Sequence, residues 1–289
     1  MSAATTPGTK PYYFVPQPSH WPITGSCALF LLALGAAFWF NAYAFGPWLV
    51  AAGFAVLIFM LFGWFGRVIH ESEGRLYNKK VDASFRWSMS WFIFSEVMFF
   101  AAFFGALFYI RNLSVPGLGD SITGRILWPN YASQWPTVGP YFKEQFTPMG
   151  AMGIPLLNTI ILLTSGGTLT IAHHALKAGK RGSLYLWLFI TIALGFTFLG
   201  FQAYEYSHAY SELNLKLSTG VYGSTFYMLT GFHGLHVTIG AIMLAVMLGR
   251  ALKGHFDAEH HFAFEAAAWY WHFVDVVWLL LFVLVYWLV

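Results

Sequence analysis

Eleven histidines, two carboxylates sunk in apolar runs and one cysteine are the residues of this chain that could do chemistry. Glu96 stands in WFIFSEVMFF and Asp275 in YWHFVDVVW. If those runs cross a membrane, each carboxylate carries a cost of at least about 2.5–3.5 kcal/mol on insertion scales, so each needs a reason to be there. A proton relay or substrate site is one reason. A structural hydrogen bond to another helix, with the acid protonated or paired, is the other, and both stay open at this point. His272 and Asp275 are three residues apart and share a helix face, so Asp275 can simply orient that imidazole. His233 and His236 have the same spacing.

Histidine is a common ligand for zinc, copper and iron, which makes a metal or haem reading worth testing. Membrane di-iron enzymes gather histidines near one face in HxxxH and HxxHH boxes. Here His70, His173, His174, His255, His260 and His261 are the candidates for such a gathering. The spacing fails, because His255 is five residues ahead of the adjacent pair His260 and His261. A bis-haem cytochrome needs histidines about 13 or 14 residues apart, near four helical turns, on each of two helices. No pair in this chain has that spacing. The sequence therefore assigns no catalytic residue and no metal site. A seven-helix retinal protein needs a lysine in its last helix, which is missing, and a receptor reading rests on span count alone. Cys27, the only cysteine, excludes a disulfide framework or multi-cysteine metal site within the chain and reads as a small hydrophobe.

The elements that must hold these residues follow from composition. Of 289 residues, 58% are hydrophobic and 9% are charged, against about 25% charged in an ordinary soluble domain. That is too little polar surface for a water-soluble enzyme, a disordered chain or a nucleic-acid binder. Seven apolar stretches are long enough to cross a bilayer as helices, at 22–43, 47–66, 87–110, 154–176, 184–204, 224–249 and 262–287. Their length and lack of period-two alternation exclude a β-barrel. Glu96 then lies roughly 14 Å into the third helix and Asp275 near the middle of the seventh. Tryptophans such as Trp21, Trp48, Trp128 and Trp287 suit interface anchoring. Residues 1–20 lack the pattern of a cleaved signal, and no internal repeat is apparent.

Seven spans with a cytoplasmic N-terminus put Lys10, Arg67, Arg75, Lys79, Lys80, Arg86, Lys177, Lys180, Arg181, Arg250 and Lys253 inside. Only Arg111, Arg125, Lys143 and Lys216 fall outside, so the expected orientation is N-terminus in and C-terminus out.

Residues 220–240, GVYGSTFYMLTGFHGLHVTIG, and 264–278, FEAAAWYWHFVDVVW, resemble subunit III of aa3-type cytochrome c oxidases. The resemblance runs along nearly the whole chain. Tyr13 and Val15 precede Pro18, Ser19, Trp21, Pro22 and Gly25, like the family's opening; SEVMFF at 95–100 matches its third helix. PLLNT at 155–159, Ala172-His173-His174, and Gln202, Glu205 and Tyr206 follow in order. The chain departs by inserting His20 between Ser19 and Trp21, and by a 111–153 loop longer than in mitochondrial members.

The resemblance implies one subunit III domain over 1–289: a cytoplasmic segment at 1–21, helices one and two at 22–66, and helices three to seven at 87–287. In the family these form two bundles around a V-shaped lipid cleft. Small residues at Gly166, Gly167, Gly231, Gly234 and Gly240 are expected to allow close helix approach. The resemblance also implies a non-redox core subunit of a proton-pumping enzyme that oxidises cytochrome c and reduces oxygen to water. Haem a, haem a3 and CuB belong to subunit I and CuA to subunit II, the two partner subunits. For bound phospholipids, the residues implied are Trp64, Glu71, Arg250 and Lys253; basic groups at a helix end suit a phosphate headgroup. Glu96 matches the family's buried, carbodiimide-reactive carboxylate. With His233, His236, His272 and Asp275 it is read as buried and structural. The alternatives are subunit III of a quinol oxidase, which is usually five-helical, and a stand-alone membrane histidine-cluster metalloenzyme. The expected location is the inner membrane of a bacterium.

Overall fold

A computed structural model describes residues 14–141 and 145–289. Lys10, Tyr13 and Lys143, used above, lie outside them. The described residues are helical, without a strand. The long helices are α1 (Trp21–Phe40), α2 (Gly46–Glu73), α3 (Lys79–Tyr109), α6 (Ile154–Lys177), α7 (Arg181–Ser211), α8 (Gly220–Leu252) and α9 (Phe262–Leu281). A π-helical stretch, Ile110–Ser114, and the short α4 (Val115–Asp120) prolong α3; α5 (Ile122–Leu127) follows. A second π-helical stretch, Phe282–Trp287, prolongs α9. Seven of these segments are long and apolar enough to cross a membrane, which makes this a multi-pass membrane protein.

Several helices outrun the apolar windows. α2 continues to Glu73 and α3 begins at Lys79, so most of the polar 67–86 segment is helix rather than link. Hydropathy marks where a helix leaves the bilayer, not where it ends. Arg67 donates to Glu71 one turn on, at 3.2 Å, and prolongs α2 through its polar end. Asn78 starts α3, its side-chain oxygen accepting from the backbone N–H groups of Lys80 and Val81 at 3.0 Å. Among the later helices, α6 and α8 stop at Gly179 and Gly254, whose φ values of 68° and 76° suit residues without a Cβ. Prolines just inside α1, α2 and α6 (Pro22, Pro47 and Pro155) begin helices where the missing N–H is harmless.

The chain divides into two compact units, 1–85 and 86–289. In the first, α1 and α2 form a hairpin packed through glycine. A Cβ on Gly35 would come within 2.7 Å of the Val50 backbone nitrogen, and one on Gly53 within 2.9 Å of Leu32. Cys27 lies on the exposed surface of α1 instead of inside a core. In the second unit α9 is central: 61% of its span is buried, and Trp271 and Trp278 are fully enclosed. Gly195 and Gly240 make room for the Trp271 ring, and Gly166 for the Asp275 carboxylate. Gly167 and Gly234 do not serve close approach within the chain, since a Cβ on either would meet nothing within 4 Å. Gly231 has only the Tyr206 hydroxyl nearby, at 3.7 Å.

Candidate functional site

Inside the 86–289 unit, polar side chains tie one helix to the next. Trp271 and Trp278 of α9 donate their indole N–H groups to Ser165 and Thr159 of α6, each at 2.9 Å. Thr168 and Thr191 join α6 to α7 at 2.8 Å, and Tyr206 and Thr230 join α7 to α8 at 2.8 Å. Since Thr230 donates to the Phe226 carbonyl, Tyr206 must be the donor in its pair. In lipid such bonds average about 0.6 kcal/mol, so their value is mainly in fixing register.

Glu96 belongs to this network. Its Oε2 lies 2.9 Å from His236 Nε2, joining α3 to α8. His236 Nδ1 lies 2.6 Å from the Phe232 carbonyl, which can only accept, so Nδ1 carries a proton. One proton therefore remains for the Glu96–His236 contact. It rests on the acid, giving a neutral pair, or on the imidazole, giving an ion pair, and the pair is uncharged overall either way. Phe100 packs against the imidazole at 4.9 Å and Tyr270 stacks along it at 6.3 Å. The Glu96 side chain is still 22% exposed, so it stands at the edge of the bundle and not at its centre.

His233 is fully buried. Its Nε2 lies 3.2 Å from the Val274 carbonyl, and its ring lies 5.1 Å from that of Trp278. His272 is not buried: its side chain is 44% exposed while that of Asp275 is 9% exposed. The sequence reading grouped His272 with the buried residues; the turn of α9 instead places it on the outer stripe. Its Nδ1 is 3.6 Å from Asp275 Oδ2, too long for a hydrogen bond.

Glu205 was quoted in the sequence motif but not read as a site. It is fully buried and accepts from Tyr286 at 2.7 Å, joining α7 to the stretch that prolongs α9. Gln202, one turn earlier, is also buried, and neither polar atom of its amide has a hydrogen-bond partner. The spacing of Gln202 and Glu205 was the available signal. The seventh-helix tryptophans were equally visible in sequence, but their partners on α6 were not.

The lipid candidates divide between the units. In the first, Trp64 is exposed, and Glu71 accepts from Arg67 and from Tyr77, the latter at 2.9 Å. Burial first, and then the hydrogen bond and charge of Glu71, push the Tyr77 phenol pKa up. In the second, Arg250 is buried with its guanidinium carbon 4.6 Å from the centre of the Phe256 ring, and Lys253 is exposed at the end of α8.

Of the six histidines considered for a metal, His173 and His261 come together, with ring centres 5.4 Å apart. His261 Nδ1 lies 3.1 Å from the Asp257 carbonyl, and His260 lies beside the Asp257 carboxylate. Among the described residues no three His, Cys, Asp or Glu side chains gather as a metal-holding group. Arg86 and Glu265 make an ion pair at 2.7 Å near the start of α9.

A family model described as cytochrome c oxidase subunit III matches residues 10–289. The chain is 43% identical over 281 residues to the cytochrome c oxidase subunit 3 of Dugong dugon, covering 96% of this chain and 97% of that one. That of Carassius auratus is 42% identical over 277 residues, covering 95% and 96% of the two chains. That of Chondrus crispus is 43% identical over 279 residues, covering 96% and 93%.

Proposed function

We infer the function from membership: the chain belongs to the cytochrome c oxidase subunit III family and is subunit III of such an oxidase. We place it in a proton-pumping aa3-type enzyme, as a core subunit that carries no redox centre and no catalytic residue. Haem a, haem a3, CuA and CuB, in subunits I and II, take electrons from cytochrome c to oxygen. This chain stabilises subunit I, supports proton uptake near its cytoplasmic mouth, and holds phospholipids in a cleft between two helix groups that offers oxygen a path. The observation that carries this reading is the family match over residues 10–289, with relatives themselves covered to 97% and 96%.

The interior chemistry supports a structural role. A relay carboxylate needs a proton route on both sides, whereas Glu96 is met by one imidazole whose other nitrogen is committed to a backbone carbonyl. The lipid role falls to Trp64, Glu71, Arg250 and Lys253. Lys253 is exposed just past the end of α8, one turn beyond the buried Arg250, and a basic group there suits a phosphate headgroup. Eleven of the fifteen basic residues fall on the side assigned to the cytoplasm, which supports an N-terminus there and a C-terminus on the opposite face; the membrane we assign is a bacterial inner membrane. The long 111–153 loop is the feature that favours a bacterial source.

Two measurements test the proposal. Pull-down through a tag on this chain should bring an intact complex with a haem a spectrum and cytochrome c-dependent oxygen uptake. Removing the chain, or changing Arg250→Ala, should leave the initial electron-transfer rate near normal and shorten the working life of the enzyme. Stoichiometric iron or copper in the isolated folded chain, or immediate loss of haem reduction in assembled Arg250→Ala enzyme, would overturn it.

A further inference from the structure

α9 and the π-helical stretch that prolongs it present one stripe away from the bundle: Trp269 and His272, partly exposed, then Val276, Leu279 and Val283, exposed, spaced by three and four residues. Val276 is 57% exposed and Val283 44%. His272 is the only ionisable side chain of the five. It lies ten residues beyond Phe262, about 15 Å along the helix, which is the middle of a bilayer about 30 Å thick.

The imidazole is braced from behind. Its Nδ1 edge faces Asp275, which is nine-tenths buried and whose Oδ1 lacks a hydrogen-bond partner. Asp275 Oδ2 is wedged against Gly166 of α6, where a Cβ would collide with it. Nε2 is thereby left on the outward edge. Beside it on α6, Thr164, Gly167, Thr170 and Ile171 are exposed, and a Cβ on Gly167 would meet nothing within 4 Å. The Thr164 and Thr170 hydroxyls are turned back onto the Ile160 and Gly166 carbonyls of their own helix, at 2.7 and 3.0 Å, so His272 is the ionisable group on a surface that is flat and open at Gly167.

Acyl chains cannot pair with an imidazole, and an unpaired polar group at this depth is expensive. The chain's own hairpin cannot pair with it either, because the middle stretches of α1 and α2, 28–38 and 49–63, contain no hydrogen-bonding side chain. A helix from another polypeptide can, and small residues are what close helix crossings in lipid use.

We propose that the α9 stripe centred on His272, with the open surface at Gly167, docks a transmembrane helix of another subunit, one that offers His272 Nε2 a hydroxyl, amide or free carbonyl. This rests on the oxidase reading only for the identity of the complex. The test places the photo-cross-linker p-benzoylphenylalanine at Val276 and, in a second variant, at Val283, with illumination in native membranes before purification. The expected product is an adduct with a different polypeptide of the haem-containing complex. Adducts with lipid alone, or with residues 21–73 of the same chain, would overturn the proposal. An adduct with a foreign polypeptide in a preparation without haem keeps the docking surface and overturns the oxidase reading instead. His272→Leu should lower retention of the chain in detergent-washed complex about threefold, the size of a typical interhelical hydrogen bond, and His272→Asn should restore it. Retention of His272→Leu equal to the unaltered chain would sink the anchoring role.

Discussion

Residues 14–85 and 86–289 are both helical and both apolar, yet they are held together by different means. The α1–α2 hairpin closes on glycine, with backbones brought near each other at Gly35 and Gly53, and has no hydrogen bond between the middles of its helices. Its side-chain bonds between elements lie at one end, around Glu71. The larger unit closes on aromatic rings and polar pairs, with Trp271, Trp278, Tyr206, His236 and Glu205 each bonded to a different helix. The difference follows from the solvent. Hydrophobic burial does not drive helices together in lipid, so a pair of helices must use either close contact or hydrogen bonds. The hairpin uses the first and the bundle uses both.

The sharpest way to probe that contrast is to remove one large enclosed ring from the bundle. Trp271→Ala should destabilise it by about 3–5 kcal/mol through cavity and lost packing, whereas Trp48→Ala, 77% exposed on the hairpin, should change stability little. Thermal unfolding of the detergent-solubilised complex reads both, and equal effects would break the comparison. The reverse insult suits the hairpin. Gly35→Val should cost about 1–3 kcal/mol by overpacking against Val50, while Gly105→Val, where a Cβ meets nothing within 4 Å, serves as the tolerant control in α3.

A smaller effect is expected at Glu96. Ala leaves His236 Nε2 without its partner, a loss of about 1–3 kcal/mol in subunit association, while Gln can donate to Nε2 and should retain near-normal turnover and assembly. Proton pumping abolished by Glu96→Gln in assembled enzyme would make Glu96 an obligatory relay. The smallest effect belongs to Asp257, in the loop between α8 and α9. Burial works against its charge, but hydrogen bonds from the backbone N–H groups of His260 and Glu259, and the His260 ring, prevail and hold its pKa below the usual value. A depressed pKa means the loop's extra stability is present above the ordinary carboxylate range and fades as pH falls through the lowered value. Protection factors of the amides in 254–261, each referenced to the intrinsic exchange rate at that pH, should fall on acidification, and Asp257→Asn should flatten that dependence.

The spans were legible because apolar length needs no tertiary knowledge, and the family motifs in α8 and α9 were local strings. The ends of α2 and α3 were harder. An apolar window stops at Arg67, although the Arg67–Glu71 spacing and the Asn78 cap were there to extend it. Partners separated by long stretches of chain could not be read at all: Glu96 finds His236 140 residues away, and Trp278 finds Thr159 119 residues away. Glu205 was passed over because the apolar window closes at 204, one residue short of it. His272 was misread as buried because its pairing with Asp275 says which residues share a face, not which way that face turns.

The central place of α9 also sets a timetable for making the protein. Trp271 follows its acceptor Ser165 by 106 residues, which at ribosomal speed is a wait of about 5–20 s. For that interval Ser165 is in the membrane without its α9 donor, and Thr159 waits longer for Trp278, as Glu96 does for His236 on α8, while the α1–α2 hairpin, joined by a turn of a few residues, is already complete. Biogenesis is thus front-loaded with the part whose contacts are local, and the part whose contacts are not depends on whatever shelters unpaired polar helices at the insertion site until α9 emerges. Nascent chains arrested before residue 262 should accordingly stay bound to the insertion machinery, whereas chains arrested shortly after α2 should already give a protease-protected hairpin.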